Sequence, residues 1–186
     1  GDRLVGDDTT NSHPSFVNTE DPVTIQQAFL YNTRLGFLTK DNVSLSQAQD
    51  WYNFYYTSAL TSLSSDPIDL SCSSIRPAVL HGVVPTAQGL ILFSKSQQFL
   101  MYSDDGPITP NSIKIRPMSN MEMSDDVEPI DIGTNLNFIS KTPNFVRVFA
   151  MQPKGLGESP DILDIGRVVN EWITIDVDTL VASVQN

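Results

Sequence analysis

The 186 residues carry 22 Asp and Glu against 11 Lys and Arg, a formal charge of −11, with 40% apolar and only 18% charged residues. That length supports one sizeable core or two small ones, and the supply of Val, Ile, Leu and Phe excludes a disordered chain. The basic residues Lys40, Lys95, Lys114, Lys141 and Lys154 are scattered singly, which excludes tight nucleic-acid binding, because phosphates are held by clustered cations.

Residues 1–19 read as an entry loop, rich in Ser and Thr and without periodicity. From residue 20 the pattern turns to short strands. Residues 35–39 and 42–46 form a hairpin with Lys40-Asp41 as its turn. Residues 78–84, 89–94 and 97–103 make a second strand group. Residues 111–118 follow, with Ile113 and Ile115 alternating against Lys114 and Arg116; further strands are expected at 135–140, 145–151 and 172–177. One short helix is expected over 160–170, with Ser159 as N-cap, Pro160 at the first position, Asp161 and Asp164 in the first turn, and Ile162, Ile165, Val168 and Val169 on one face.

A repeat runs through these strands. Leu90 to Phe99 and Leu136 to Phe145 share the pattern L-x-apolar-apolar-S-K-[ST]-x-x-F without a gap, and Leu35 to Lys40 is a weaker copy upstream. Each copy reads as strand, Ser/Thr-Lys turn, strand. The copies recur every 46 to 55 residues, near the roughly 40–50 residues of propeller blades, each a small antiparallel sheet. The runs Leu90–Phe93 and Phe99–Tyr102 are apolar on both faces, as expected for inner strands that are covered on both sides. The expected fold is mainly β, with antiparallel sheets arranged as propeller-like blades over 20–186. About three blades cannot close a ring of roughly four to eight, so the chain is expected to be part of a larger protein, truncated at both ends. The start Gly1-Asp2-Arg3, without Met or a signal-peptide core, fits that expectation.

The constellations of an enzyme do not assemble. His81 lies in an apolar run and His13 before Pro14, neither at metal-ligand spacing to a Cys or another His. Gly155-Leu156-Gly157 is too short for a phosphate loop. Asp66 and Asp69 are the one candidate carboxylate pair, and Asp66 before Pro67 reads more simply as a turn. Asp7-Asp8, Asp104-Asp105-Gly106 and Asp125-Asp126 read as solvated loop tips. Cys72 is the single cysteine, so no internal disulfide forms. No stretch approaches the roughly 20 apolar residues of a membrane span. No catalytic, cofactor-binding or metal-binding residue is assigned, and no cofactor is expected.

Several phrases carry a family resemblance. Asn11–Val17 (NSHPSFV), Asn32–Leu38 (NTRLGFL), Asp41–Ser46 (DNVSLS), Tyr52–Tyr55 (YNFY), Ser65–Asp69 (SDPID) and Gly89–Phe99 occur in one order with similar spacing, and together resemble the tail tubular protein B, or nozzle, family of short-tailed podovirus bacteriophages. Ile108-Thr109 and Asp131–Gly133 follow it more loosely. Thr33, where the family often has Arg, and Asn18, where it often has Gly, depart from it and put local turns in doubt. The resemblance implies a structural protein of the virion tail. It would be assembled in the host cytoplasm as a homohexamer, below an adaptor ring of tail tubular protein A. It would carry tail fibres and enclose a channel through which viral DNA passes without specific binding. It implies no catalytic residues.

The acidic balance suits such a channel, since acidic walls repel phosphates. Two other classes remain open from the residues. A propeller-like module recognising a host surface glycan or another tail protein would use the aromatic cluster Trp51, Tyr52, Phe54, Tyr55 and Tyr56, which reads otherwise as interface or core packing. A polysaccharide depolymerase would have only Asp66 and Asp69 to work with.

Overall fold

The computed structural model describes residues 13–17, 23–58, 60–72, 78–104, 106–155, 158–167 and 173–183. Among them are twelve strands and no α-helix. The strands form three four-stranded sheets in chain order: β1 (Gln27–Tyr31), β2 (Arg34–Leu38), β3 (Asn42–Leu45) and β4 (Ile68–Ser71); β5 (Leu80–Thr86), β6 (Gly89–Ser94), β7 (Gln98–Tyr102) and β8 (Lys114–Ser119); β9 (Ile130–Asp131), β10 (Leu136–Lys141), β11 (Val146–Gln152) and β12 (Asp161–Asp164). In every sheet neighbours in sequence are neighbours in space, the simple meander that a propeller blade also uses. The chain divides into two compact units, Gly1–Leu80 with Met101–Ile115, and His81–Leu100 with Arg116–Asn186.

The repeated phrase is the inner hairpin of each sheet. Leu35 to Lys40 covers β2 and its turn, Leu90 to Phe99 runs from β6 into β7, and Leu136 to Phe145 runs along β10 to the start of β11. A hydroxyl closes each turn in the same way. The backbone N–H groups of Thr39, Ser94 and Thr142 donate to the carbonyls of Asn42, Gln97 and Phe145 at 2.9 Å. The hydroxyls of the same three residues donate to the same carbonyls at 3.2, 2.8 and 2.7 Å. The third turn begins two residues later in the repeat than the second, because β10 extends through Lys141. Such short loops join only antiparallel strands.

In the first unit, β1 and β2 meet through the two-residue loop Asn32-Thr33, with φ of 45° and 63°. Two consecutive positive φ values give the type I′ hairpin turn, whose twist matches the strands. Asn tolerates that region; β-branched Thr33 does so under strain. Across the ladder Gly36 stands opposite Phe29, and a Cβ built at Gly36 would lie 2.3 Å from the tip of the Phe29 ring. The glycine is the floor on which that ring lies.

In the second unit every residue of β6 is buried, as are the first four of β7. Phe93 of β6 packs on Phe138 of β10 at 5.6 Å between ring centroids, and Phe138 stacks on Phe149 of β11 at 5.4 Å. The connection from β8 to β9 crosses both sheets. Met123 N–H donates to Lys95 O at 2.9 Å and Ser124 N–H to Ile139 O at 2.8 Å. Fully buried Gln98 holds the same connection: its Nε2 donates to Met121 O at 3.0 Å, and its Oε1 accepts from Met121 N and from Ser119 Oγ. Lys95 and Lys141, equivalent in the repeat, pair with Asp125 and Asp126 at 3.7 and 3.2 Å. These exposed pairs add little stability, so the backbone bonds and Gln98 make the junction.

Two outer strands are short or polar. β9 has two residues, and β12 alternates exposed with half-buried positions. Pro85 and Pro117 fall in β5 and β8, both at sheet edges, where a missing N–H breaks no ladder.

Two expected elements differ. Asp161–Asp164 is not the start of a helix but β12, with Asp161, Ile162, Leu163 and Asp164 opposite Gln152, Met151, Ala150 and Phe149. The open edge of β11 offers four residues a ladder, whereas a short helix containing Gly166 and β-branched residues has little stability of its own. Val168 and Val169, on the expected helix face, lie outside the described residues. Nor is 173–177 a strand: it runs irregularly, and Ile173 and Val177 pack, with Leu180, on the buried cluster of Val127, Ile139 and Val146. The apolar spacing there is satisfied by side-chain packing without a ladder.

Two substitutions test these contacts by chemical denaturation. Gly36→Ala is expected to cost about 1–3 kcal/mol from overpacking against Phe29, and to cost markedly less in a Phe29→Ala background; equal costs in both would show that the ring does not lie there. Thr33→Gly is expected to stabilise by roughly 0.5–1 kcal/mol, as positive-φ strain is released in excess of the added chain entropy. A loss of stability would contradict the turn assignment.

Candidate functional site

The phrases scattered through residues 13–69 converge in the first unit on one clasp. Ser15 joins β3 and β4 through Asp69: its backbone N–H donates to Oδ2 at 2.6 Å and its hydroxyl to Oδ1 at 2.8 Å. Ser44 Oγ donates to the same Oδ1 at 3.2 Å and lies 3.2 Å from Ser15 Oγ, and Asn42 Nδ2 reaches Oδ1 at 3.4 Å. Beside it, Phe16 meets Phe37 and Phe54 edge-on at 5.1 and 4.9 Å, while Phe37 and Phe54 stack at 5.3 Å with 20° between the rings. The entry segment is thus fastened at one point by charge-assisted hydrogen bonds and at the next by aromatic packing.

Arg34, at the start of β2, is the centre of a second knot. Its side chain is buried, with Nη1 donating to Ser46 O at 2.6 Å and Asp66 O at 2.8 Å, and Nη2 donating to Ser64 O at 2.9 Å. Burial pulls the guanidinium pKa down, and the Asp66 carboxylate offsets part of that. Asp66 is itself buried: Oδ2 accepts the Leu63 N–H at 2.7 Å, and Oδ1 has no hydrogen-bond partner among the described residues. The loop between β3 and β4 is held from its other side by Trp51 Nε1 and Gln49 N–H, which both donate to Thr33 O, at 3.2 and 3.0 Å. Thr33, the departure from the family phrase, therefore supplies the acceptor that seats the aromatic loop.

A cavity of about 300 Å³ opens beside Asp69, walled by Pro14, Asn42, Ser44, Phe54 and Tyr56. A smaller one of about 190 Å³ lies in the second unit between the Ala87-Gln88 turn and Asp131–Leu136.

The candidate chemical residues are placed as follows. Asp66 and Asp69 do not form an open carboxylate pair: the first is sealed in the Arg34 knot and the second is committed to Ser15 and Ser44. His13 stands edge-on to Tyr55, and half-buried His81 lies in β5. Asp104 pairs with Lys114; Asp105, Asp7-Asp8 and Leu156-Gly157 lie outside the described residues. The aromatic cluster divides, since Phe54 packs in the clasp while Trp51, Tyr52 and Tyr56 are exposed. Cys72 is buried, and burial, aided by the Asp41 carboxylate, pushes its thiol up to about 12. Among the described residues no three His, Cys, Asp or Glu stand where they could hold a metal. Sequence reasoning did not single out Arg34 or Ser15. The one available signal was a lone Arg inside an otherwise apolar strand phrase, which marks a buried cation as readily as an exposed one.

Arg34→Met is expected to destabilise the first unit by about 3–5 kcal/mol, since the carbonyls of Ser46, Ser64, Ser65 and Asp66 lose a donor and Asp66 its counter-charge. Arg34→Lys recovers only part of this, because an ammonium lacks the fork. A loss below about 1 kcal/mol for Arg34→Met in urea titration would show that water already serves those carbonyls. The Cys72 thiol is expected to resist alkylation at pH 8 until the protein unfolds. Because the folded pKa is raised from 9.0 to about 12, the neutral thiol favours the fold fully below pH 9. That contribution falls by up to about 1.4 kcal/mol per pH unit as pH rises through this window. Rapid native-state labelling would contradict the burial.

The bacteriophage nozzle protein family model matches residues 1–186. The tail tubular protein gp12 of Escherichia phage T7 is 33% identical over 153 residues, which is 81% of this chain and 19% of that protein. The chain thus spans about a fifth of the length of that relative. Ser15, Ser44 and Asp69 of the clasp hold strands and entry segment together. This chain belongs to the bacteriophage nozzle protein family and is a structural component of the phage tail, not an enzyme.

Proposed function

We propose that the chain is one segment of a tail nozzle, a homohexameric ring that encloses the distal channel for viral DNA, docks on the tail adaptor (tail tubular protein A) and supports tail-fibre attachment. The observation that carries this reading is the family match along the whole chain. In it, residues 20–186 contribute propeller-like blades, and assembly takes place in the host cytoplasm. The meander order of all three sheets supports the blade reading.

The charge supports passage of DNA without capture. At −11 per chain, a ring of copies presents acids to a polyanion, so phosphates are repelled and the genome slides. The connection between β8 and β9 contributes most densely, with Glu122, Asp125, Asp126, Glu128 and Asp131 all exposed. Lysines neutralise Asp125 and Asp126.

Electron cryomicroscopy of intact tails is expected to show sixfold density with this segment as radial β blades around the bore; another symmetry, or a site remote from the bore, would overturn the reading. The triple substitution Glu122→Lys, Glu128→Lys and Asp131→Lys is expected to slow DNA ejection several-fold in assembled particles while leaving particle yield unchanged. Unchanged ejection kinetics would remove electrostatic lubrication by these acids from the proposal.

A further inference from the structure

The cavity beside Asp69 has a chemistry that its structural role does not use. Its volume, about 300 Å³, is at the low end of small-molecule sites, the size of a single-ring ligand. Its lining is two-sided. Phe54 and Tyr56 provide aromatic surface, and Tyr56 is 38% exposed. Opposite in character are Asn42, Ser44, Asp69 and His13.

The lining selects the ligand class by elimination. Among the described residues no Lys or Arg borders the cavity and one carboxylate does, so an anion is disfavoured. A metal ion is disfavoured too: among the described residues Asp69 alone lines the cavity with a carboxylate, and its Oδ1 already accepts from Ser15, Ser44 and Asn42. A wholly apolar ligand would strand those polar groups out of water. What fits is a neutral ring with an apolar face and hydroxyl edges. The side chain of Asn42 makes only the long 3.4 Å bond to Asp69 among the described residues, and His13 makes no hydrogen bond there. Both therefore keep donors and acceptors for hydroxyl groups. Asp69, Ser44 and Asn42 are held in place by the clasp, which pre-orients the site without a ligand.

We propose that this cavity is a saccharide-binding subsite that takes one neutral pyranose ring, seated against Tyr56 and Phe54 and hydrogen-bonded through Asn42 and His13. A single ring of about a dozen heavy atoms is held weakly, with a dissociation constant on the order of 1–10 mM.

The test is saturation-transfer NMR on the full-length nozzle protein, with D-glucose, D-galactose and N-acetyl-D-glucosamine each at up to about 50 mM, an excess over the expected constant. Saturation of at least one sugar is expected, with apparent affinity falling at least tenfold in Asn42→Ala and in Tyr56→Ala. Both variants lie outside the Arg34 knot and are checked by circular dichroism. If Tyr56→Ala does not fold, Asn42→Ala decides alone. No transfer from any of the three sugars overturns the proposal. Transfer that persists unchanged in the folded variants also overturns it, since the sugar then binds elsewhere.

Discussion

The constraint on which the rest of the structure depends is that the inner hairpin of the β5–β8 sheet is dry on both faces. All six residues of β6 and four of the five in β7 are buried. A sheet supplies such strands with backbone partners but not with face partners, so each inner hairpin needs outer strands beside it and other side chains above and below. The four-stranded meander meets the first need at the lowest loop cost, because each strand pairs with its sequence neighbour. In the second unit the rings of Phe93, Phe138 and Phe149 meet the other need. The outer strands then carry the opposite requirement. They end the ladder, so they are short, acidic or interrupted by Pro85 and Pro117, which discourages uncontrolled pairing at their open edges.

The first unit solves a different problem. Its sheet must hold an entry segment and a long connection between β3 and β4 that have no ladder of their own. A buried charge and an exposed one do this. Arg34 gathers carbonyls of loops that would otherwise need water, and Asp69 gathers the N–H and hydroxyl of Ser15. A charge with several neutral partners suits this purpose: each bond is charge-assisted, and losing the centre orphans all of the partners at once. The phrases that resemble other nozzle proteins are therefore legible as architecture. Those between residues 13 and 69 meet in one clasp.

A tail component has little use for reactive side chains, and the chemistry here is correspondingly silenced. Cys72 is kept neutral by burial, Asp66 is closed behind Arg34, and among the described residues no three acids stand where they could hold a metal. What the surface offers instead is charge and aromatic area: a surplus of acids, exposed Trp51 and Tyr52, and exposed Tyr56 at a cavity with mixed lining.

The sequence by itself determined the mainly β class, the inner hairpins and their turns. These follow from local apolar alternation and from Ser/Thr side chains that bond three residues ahead, and both are properties of contiguous residues. The 46-residue offset between Leu90 and Leu136 likewise announced successive equivalent sheets. Only the tertiary structure decided the rest. Residues 161–164 have both helix-start signals and β-branched residues, and the free edge of β11 settled the choice. Residues 173–177 alternate like a strand, yet side-chain packing on Val127 and Ile139 sufficed without a partner. Arg34 and Ser15 are invisible as a site in the sequence, because their partners lie up to 54 residues away. Local preference fixes which segments pair with their immediate neighbours; what a lone charge finds across such a distance depends on how the loops close around it.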